Sequence, residues 1–348
     1  MKKRRIRNIK VVMLLSTLFL LVACNTSTNS GMTPASDVTE HIEDGTRGIG
    51  FGVTPYHFEW DWDNDGLFDG SLFLNEPSDV LVARVENISV NAHNFVLKLF
   101  LNYETVPFRV LDEEAFAPAF LFSLTSGYQL EIPFVLDIEL PDENEMFKLT
   151  AAVFVDPEYH VVDMDSFYQY LLGGMGTVLN FDLYFGERQD IQLDVQPNIA
   201  LAQRENEGFA SLRINTQLDV ADFHQRGYSQ PMRLVGSVLQ VSPGEVIDLA
   251  FFANLYVERR MVVEEYVILA LLDWEQVELS GLPYLLMQVE DHDFDELVEY
   301  GHFTIVAPDE VGLYEFVAMI IPNPREVSTF RHYYPIELSD RFTIEVVE

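Results

Sequence analysis

The residues best placed to do chemistry lie near the start of the chain: Asp61-Trp62-Asp63-Asn64-Asp65-Gly66-Leu67-Phe68-Asp69. Backbone alternation puts the carboxylates of Asp61, Asp63 and Asp65 on one side of a loop. Gly66 permits the sharp turn that brings Asp69 back towards them. Oxygens in such a cage are hard ligands that suit Ca2+, with the Leu67 carbonyl as a fifth ligand and Glu59 or Glu76 as a sixth. Chance alone would place four Asp and one Gly in this pattern in roughly one such chain in a thousand. The bland alternative is a solvated turn in an acidic protein. The loop geometry favours a structural calcium site.

Trp60 and Trp62 flank this loop, preceded by Tyr56, His57 and Phe58. On a strand, residues 56, 58, 60 and 62 share one face. Flat aromatic faces stack on sugars, so Trp60 and Trp62 are candidate ligand-binding residues; ordinary core packing is the competing reading. Asp291-His292-Asp293-Phe294-Asp295-Glu296 is a second acidic knot. It has one nitrogen ligand and no glycine turn, and reads as a solvated loop. The remaining histidines are scattered and form no zinc-binding spacing. No nucleophile elbow, phosphate loop or dinucleotide fingerprint is present, and carboxylate pairs are too numerous for one to be singled out. No catalytic residue is assigned.

Cys24 is the only cysteine. Before it come Lys2, Lys3, Arg4, Arg5, Arg7 and Lys10, then an apolar run over Val11–Val22 broken only by Ser16 and Thr17. A spanning helix needs about 20 apolar residues, so this run is too short and reads as a signal peptide. Leu21-Val22-Ala23-Cys24 resembles the lipobox of bacterial lipoproteins. The resemblance implies cleavage before Cys24, diacylglycerol on its sulfur, and an extracytoplasmic protein anchored to the bacterial cell membrane. The calcium loop resembles the short calcium loops of integrin α-chain propellers and the first nine positions of an EF-hand. It departs from an EF-hand at position 12, where Leu72 stands in place of Glu, and no helix flanks it.

The chain has 348 residues, with 56 acidic against 21 basic, and a net charge of −35. Residues 1–23 hold six basic and no acidic residues, so the mature chain carries −41. Thirteen of its 15 basic residues are Arg, which suits an alkaline exterior. Such a surface lacks the basic footprint that nucleic acid requires. Yet 48% of residues are hydrophobic and 13% aromatic, too many for a disordered acidic chain.

Residues 24–48 are polar and aperiodic and read as a flexible tether. Beyond them, strand patterns dominate: Val80–Asn87, Asn94–Tyr103, Tyr128–Leu140 and Phe147–Val155, then Val246–Leu255, Glu265–Leu272, His302–Val306, Tyr314–Ile321 and Phe342–Val347. Short helices are expected at Asp165–Leu172 and Asp293–Tyr300. Residues 140–157 align without a gap to residues 307–324, and Gly70-Ser71, Pro77 and Val80 match Gly236-Ser237, Pro243 and Val246. Two related domains follow, 49–197 and 198–348, with 161–186 as an insertion in the first.

In the second domain, Glu310-Val311-Gly312-Leu313-Tyr314-Glu315-Phe316 resembles the tyrosine-corner stretch of immunoglobulin-like domains, with Phe316 where a disulfide cysteine would stand. The resemblance implies two tandem immunoglobulin-like or fibronectin-type β-sandwich domains in an all-β chain, and for Tyr314 a hydroxyl bond to upstream backbone. The first domain has Phe147 at that place, so only packing carries over.

The expected function is a non-enzymatic, lipid-anchored surface protein for adhesion, binding or envelope scaffolding. The alternatives are a carbohydrate-binding lipoprotein using Trp60 and Trp62, an accessory subunit of a membrane complex, and an enzyme of unrecognised type. Expected partners are the membrane, through lipid on Cys24, and a cell-wall glycan or surface protein.

Overall fold

A computed structural model describes residues 33–34, 49–55, 71–76, 78–139, 146–163, 166, 176–185, 199–200, 211–215, 238–254, 263–288, 298–325 and 336–348. Their elements are β-strands. The first half holds Thr33–Pro34 (β1), Ile49–Pro55 (β2), Ser71–Leu74 (β3), Leu81–Asn87 (β4), His93–Leu101 (β5), Glu104–Thr105 (β6), Phe108–Val110 (β7), Phe120–Leu124 (β8), Tyr128–Leu136 (β9), Met146–Val155 (β10) and Gly176–Phe185 (β11). The second holds Ile199–Ala200 (β12), Ser211–Asn215 (β13), Val238–Val241 (β14), Val246–Asn254 (β15), Glu265–Leu272 (β16), Glu275–Val277 (β17), Leu285–Gln288 (β18), Val298–Val306 (β19), Gly312–Pro322 (β20), Glu337–Leu338 (β21) and Phe342–Val346 (β22).

Each half is a sandwich of two sheets. In the first, one sheet runs β1-β9-β4-β2 with β7 on β9, and the other runs β3-β11-β10-β5-β6 with β8 on β5. In the second, β13-β15-β19 faces the sheet β12-β18-β16-β20-β22-β14, which also carries β17 and β21. β3 joins β11 in parallel and β14 joins β22 in parallel. That leading strand laid along the last one, on an otherwise antiparallel sheet, is an immunoglobulin-like arrangement. The Tyr314 hydroxyl donates to the Glu310 carbonyl at 2.9 Å, the bond expected of a tyrosine corner.

The register shows how closely the halves correspond. Leu149 pairs with Leu101 and Phe181; 167 residues on, Phe316 pairs with Leu272 and Phe342. The expected insertion over 161–186 is corrected by this. Its second half is β11, an integral strand that corresponds to β22. Residues 156–175 join β10 to β11 and residues 323–341 join β20 to β22, twenty residues against nineteen. Sequence identity between β11 and β22 is too low for the alignment to have found the match.

A second correction concerns Asp293–Tyr300. Residues 298–300 are strand, paired with 252–254 on β15, so ladder pairing overrides the acidic, helix-like local pattern. The other helix candidate, Asp165–Leu172, lies outside the described residues except for Ser166. Within the expected tether, Thr33 and Pro34 pair with Gln129 and Tyr128 of β9.

Four central strands are buried on both faces. Tyr266, Ile268, Ala270, Phe316, Ala318 and Ile320 point into the second sandwich's own core. The alternate residues Val267, Leu269, Leu271, Val317, Met319 and Ile321 point the other way, against Val96, Phe100, Ala152 and Phe154 of the first half. The two large sheets therefore pack face to face, and the apolar runs of β5, β10, β16 and β20 need no polar alternation. Burial of Val267, Leu269 and Leu271 alone stabilises by about 2 kcal/mol each, a sum comparable to a whole domain's net stability.

Candidate functional site

None of the expected site residues falls within the described residues: Cys24, Trp60, Asp61, Trp62, Asp63, Asp65, Leu67 and Asp69 all lie outside them. In β3, Leu72, at the position where an EF-hand would have its glutamate, is fully buried. Glu76 is exposed beyond that strand and accepts from Ser78 at 3.4 Å. Among the described residues no cluster of three or more His, Cys, Asp or Glu is placed to hold a metal.

The polar residues that the fold brings together lie in the seam between the sandwiches, and they follow its internal symmetry. β5 turns into β6 through Asn102 and Tyr103, at φ 49° and 71°; β16 turns into β17 through Asp273 and Trp274, at φ 50° and 67°. Two successive left-handed residues match the twist of a two-residue hairpin, but a bulky aromatic there is strained. Each turn is held from the opposite sandwich. The Tyr103 hydroxyl donates to the Pro324 carbonyl at 2.8 Å, and Trp274 Nε1 donates to the Pro157 carbonyl at 2.8 Å. Pro157 and Pro324 are equivalent in the repeat, so the same contact is made twice, once in each direction. Burial pushes the Tyr103 hydroxyl well above the usual tyrosine range. Gln276 adds a third link, receiving the Thr105 N–H at 2.7 Å and donating to the Tyr103 carbonyl at 2.8 Å.

Two buried charge clusters flank these turns at corresponding places. In the first half Lys148 pairs with Asp182, directly across the β10–β11 ladder, with neither side chain exposed beyond 1%. In the second half Glu315 occupies the lysine's position and Thr343 the aspartate's. Glu315 accepts from Arg341 Nε at 3.2 Å, Thr343 Oγ1 at 3.0 Å and Val161 N–H at 3.2 Å. Arg341 also donates to the carbonyls of Val155, Asp156 and Tyr159 at 2.9, 3.3 and 2.7 Å, and lies over the Trp274 ring at 4.8 Å. A guanidinium's rigid fork suits this multiple recognition of backbone. Arg341 thus fastens the 155–159 segment of one sandwich to the sheet of the other.

Sequence reasoning missed these residues. The sequence alone assigns no role to Trp274, Lys148, Asp182 or Arg341. The available signal was the matching Asn102-Tyr103-Glu104 and Asp273-Trp274-Glu275 turns, 171 residues apart.

Lys98 is a third buried cation among the described residues, 1% exposed on the face of β5 that meets the second sandwich. Desolvation lowers its pKa to about 8, with Glu275 pulling the other way. The folded chain therefore releases this proton more readily than the unfolded chain, whose lysine titrates near 10.5. Stability should rise with pH through this window, by about 3 kcal/mol in total from this group. Urea midpoints at pH 7.5 and 10 measure it, and Lys98→Met should flatten the slope.

Immunoglobulin-like β-sandwiches joined face to face are thus the class of protein defined by the fold and its seam. No family model matches the sequence, and no curated protein matches it. Among solved structures, the chain is similar to the C-terminal domain of the Streptococcus agalactiae AgI/II polypeptide BspA, at 10% identity over 86% of this chain and 100% of that chain, with a TM-score of 0.24. It is also similar to the C-terminal domain of the Streptococcus pyogenes antigen I/II-family protein AspA, at 9% identity over 86% and 99%, TM-score 0.23. A putative membrane anchored protein from Corynebacterium diphtheriae matches at 8% identity over 87% and 59%, TM-score 0.22. Superpositions this loose carry no argument about function.

Proposed function

We propose that the chain is a lipid-anchored, extracytoplasmic, non-enzymatic surface protein whose two sandwiches act as one stiff head for adhesion, binding or envelope scaffolding. The observation that supports this reading is the use of buried charge. Lys148, Asp182, Glu315 and Arg341 bond to protein groups that join strands or sandwiches, and such groups serve architecture. The basic leader, the apolar run and Cys24 supply the address, and the acidic exterior suits exposure outside the cell. A Ca2+ held by Asp61, Asp63, Asp65, Leu67 and Asp69 would stiffen the approach to β3.

Two measurements on the expressed chain test the proposal. Wild-type protein should take up a fatty-acid label and partition into detergent, while Cys24→Ala should do neither; a Cys24→Ala chain that matures and partitions normally overturns the anchor. Millimolar Ca2+ should raise Tm relative to EDTA, and identical melting overturns the calcium site.

A further inference from the structure

The internal repeat supplies a control for every surface position, and one strand edge fails to match its counterpart. Leu121 of β8 lies opposite Val96 of β5, and Leu286 of β18 lies opposite Val267 of β16, so the two leucines occupy equivalent places. Leu286 is fully buried in the seam, whereas Leu121 is 67% exposed. Val96, beside Leu121, belongs to the apolar cluster of the seam. Leu121 is therefore the continuation of that apolar floor out to the surface.

The backbone edges differ as well. β18 receives β12 as an added parallel strand, Ile199 against Met287 and Ala200 against Gln288. Among the described residues β8 pairs with β5 alone. Exposed edges are usually defended by charge, proline or a bulge, because a bare edge templates further pairing. β8 reads Phe-Leu-Phe-Ser-Leu and carries none of these. It is also held rigidly: Phe122 stacks on Phe95 at 5.4 Å, and Ser123 Oγ donates to Asn94 Oδ1 at 2.6 Å.

We propose that β8 is a docking edge for an extended segment of a partner polypeptide, apolar and basic in character, which adds to the sheet as β12 adds to β18. Main-chain hydrogen bonds would supply affinity, and a side chain over Leu121 would supply specificity. The basic character follows from the loop leading into β8, which exposes Asp112, Glu113 and Glu114 beside half-exposed Leu111 and Phe116. A second copy is disfavoured as occupant by the net charge of −35 on each chain. This inference deepens the surface-binding reading above by naming a class of partner, and its test does not depend on the lipid.

The probe is a capped octapeptide of alternating Lys and Val, titrated into the full chain at 0.3 M salt, about three times the ionic strength at which the Debye length is 10 Å. Hydrogen exchange is read by residue. Protection should appear at 120–124. Leu121→Lys and Leu121→Ser should each weaken binding at least tenfold, while Leu313→Lys, at an exposed leucine of the other sandwich, should not change it. Wild-type Tm in the Leu121 variants separates lost docking from lost folding. Binding without protection at 120–124, or equal loss in Leu313→Lys, reduces the effect to general charge attraction and overturns the proposal. A dimer that Leu121→Lys dissociates overturns it too, since the occupant is then a second copy.

Discussion

Replacing Arg341 with Ala is expected to cost about 3–5 kcal/mol, among the largest effects of any single change in the chain. Arg341 is fully buried, and it provides the guanidinium beside Glu315 together with three bonds to backbone carbonyls of the other sandwich. Its removal leaves the Glu315 carboxylate inside beside the Thr343 hydroxyl, the Val161 N–H and the His160 ring, whose Nδ1 lies 3.6 Å away, with no buried guanidinium to balance it, and strips a donor from the carbonyls at 155, 156 and 159. The cost comes chiefly from the stranded charge, so it should be recoverable. Arg341→Met with Glu315→Leu should restore much of the loss, as apolar replacement of a buried pair often does. Chemical denaturation of the three chains measures this. Equal losses in the single and double variants would show that the backbone bonds, not the charge, dominate.

Leu269→Asp should be comparably severe, at about 4 kcal/mol or more. Leu269 sits on β16 with 0% exposure, yet it points away from its own sandwich's core and into the seam. Were the sandwiches independent beads on a string, this face would meet water and an aspartate would be tolerated. Val246→Asp provides the contrast. Val246 is 62% exposed on the same sandwich, and the change should stay within about 0.5 kcal/mol. Thermal melting distinguishes the cases: a mild effect at Leu269 would mean that the seam opens readily.

Much of the fold was legible in the sequence. The strand at Glu265–Leu272 is observed with the limits read from its apolar run, and most others agree within a few residues. The repeat was visible because β10 and β20 keep similar residues at similar spacing. The length of the first copy's excursion was misjudged because β11 and β22 share almost no identities, and only hydrogen-bond register relates them. The seam was hidden for a different reason. A continuous apolar run announces a strand covered on both sides, but nothing local says what covers the second side. Lys148 and Asp182 illustrate the same limit, since a charged residue in a sequence is by default an exposed one. The candidate ligand-binding residues, from Trp60 to Asp69, fall outside the described residues, so that part of the reading stands as a proposal.

The exchanged contacts of Tyr103 and Trp274 bear on how the chain is made and destroyed. Their acceptors lie 221 and 117 residues away along the sequence. Both bonds close only when the two sandwiches meet, so the final setting of each hairpin depends on the other half. Non-local closure of that kind is slow. In exchange, a protease should meet no half that opens alone: cleavage of the seam-forming strands should track whole-molecule unfolding, and degradation should proceed without a stable one-sandwich fragment.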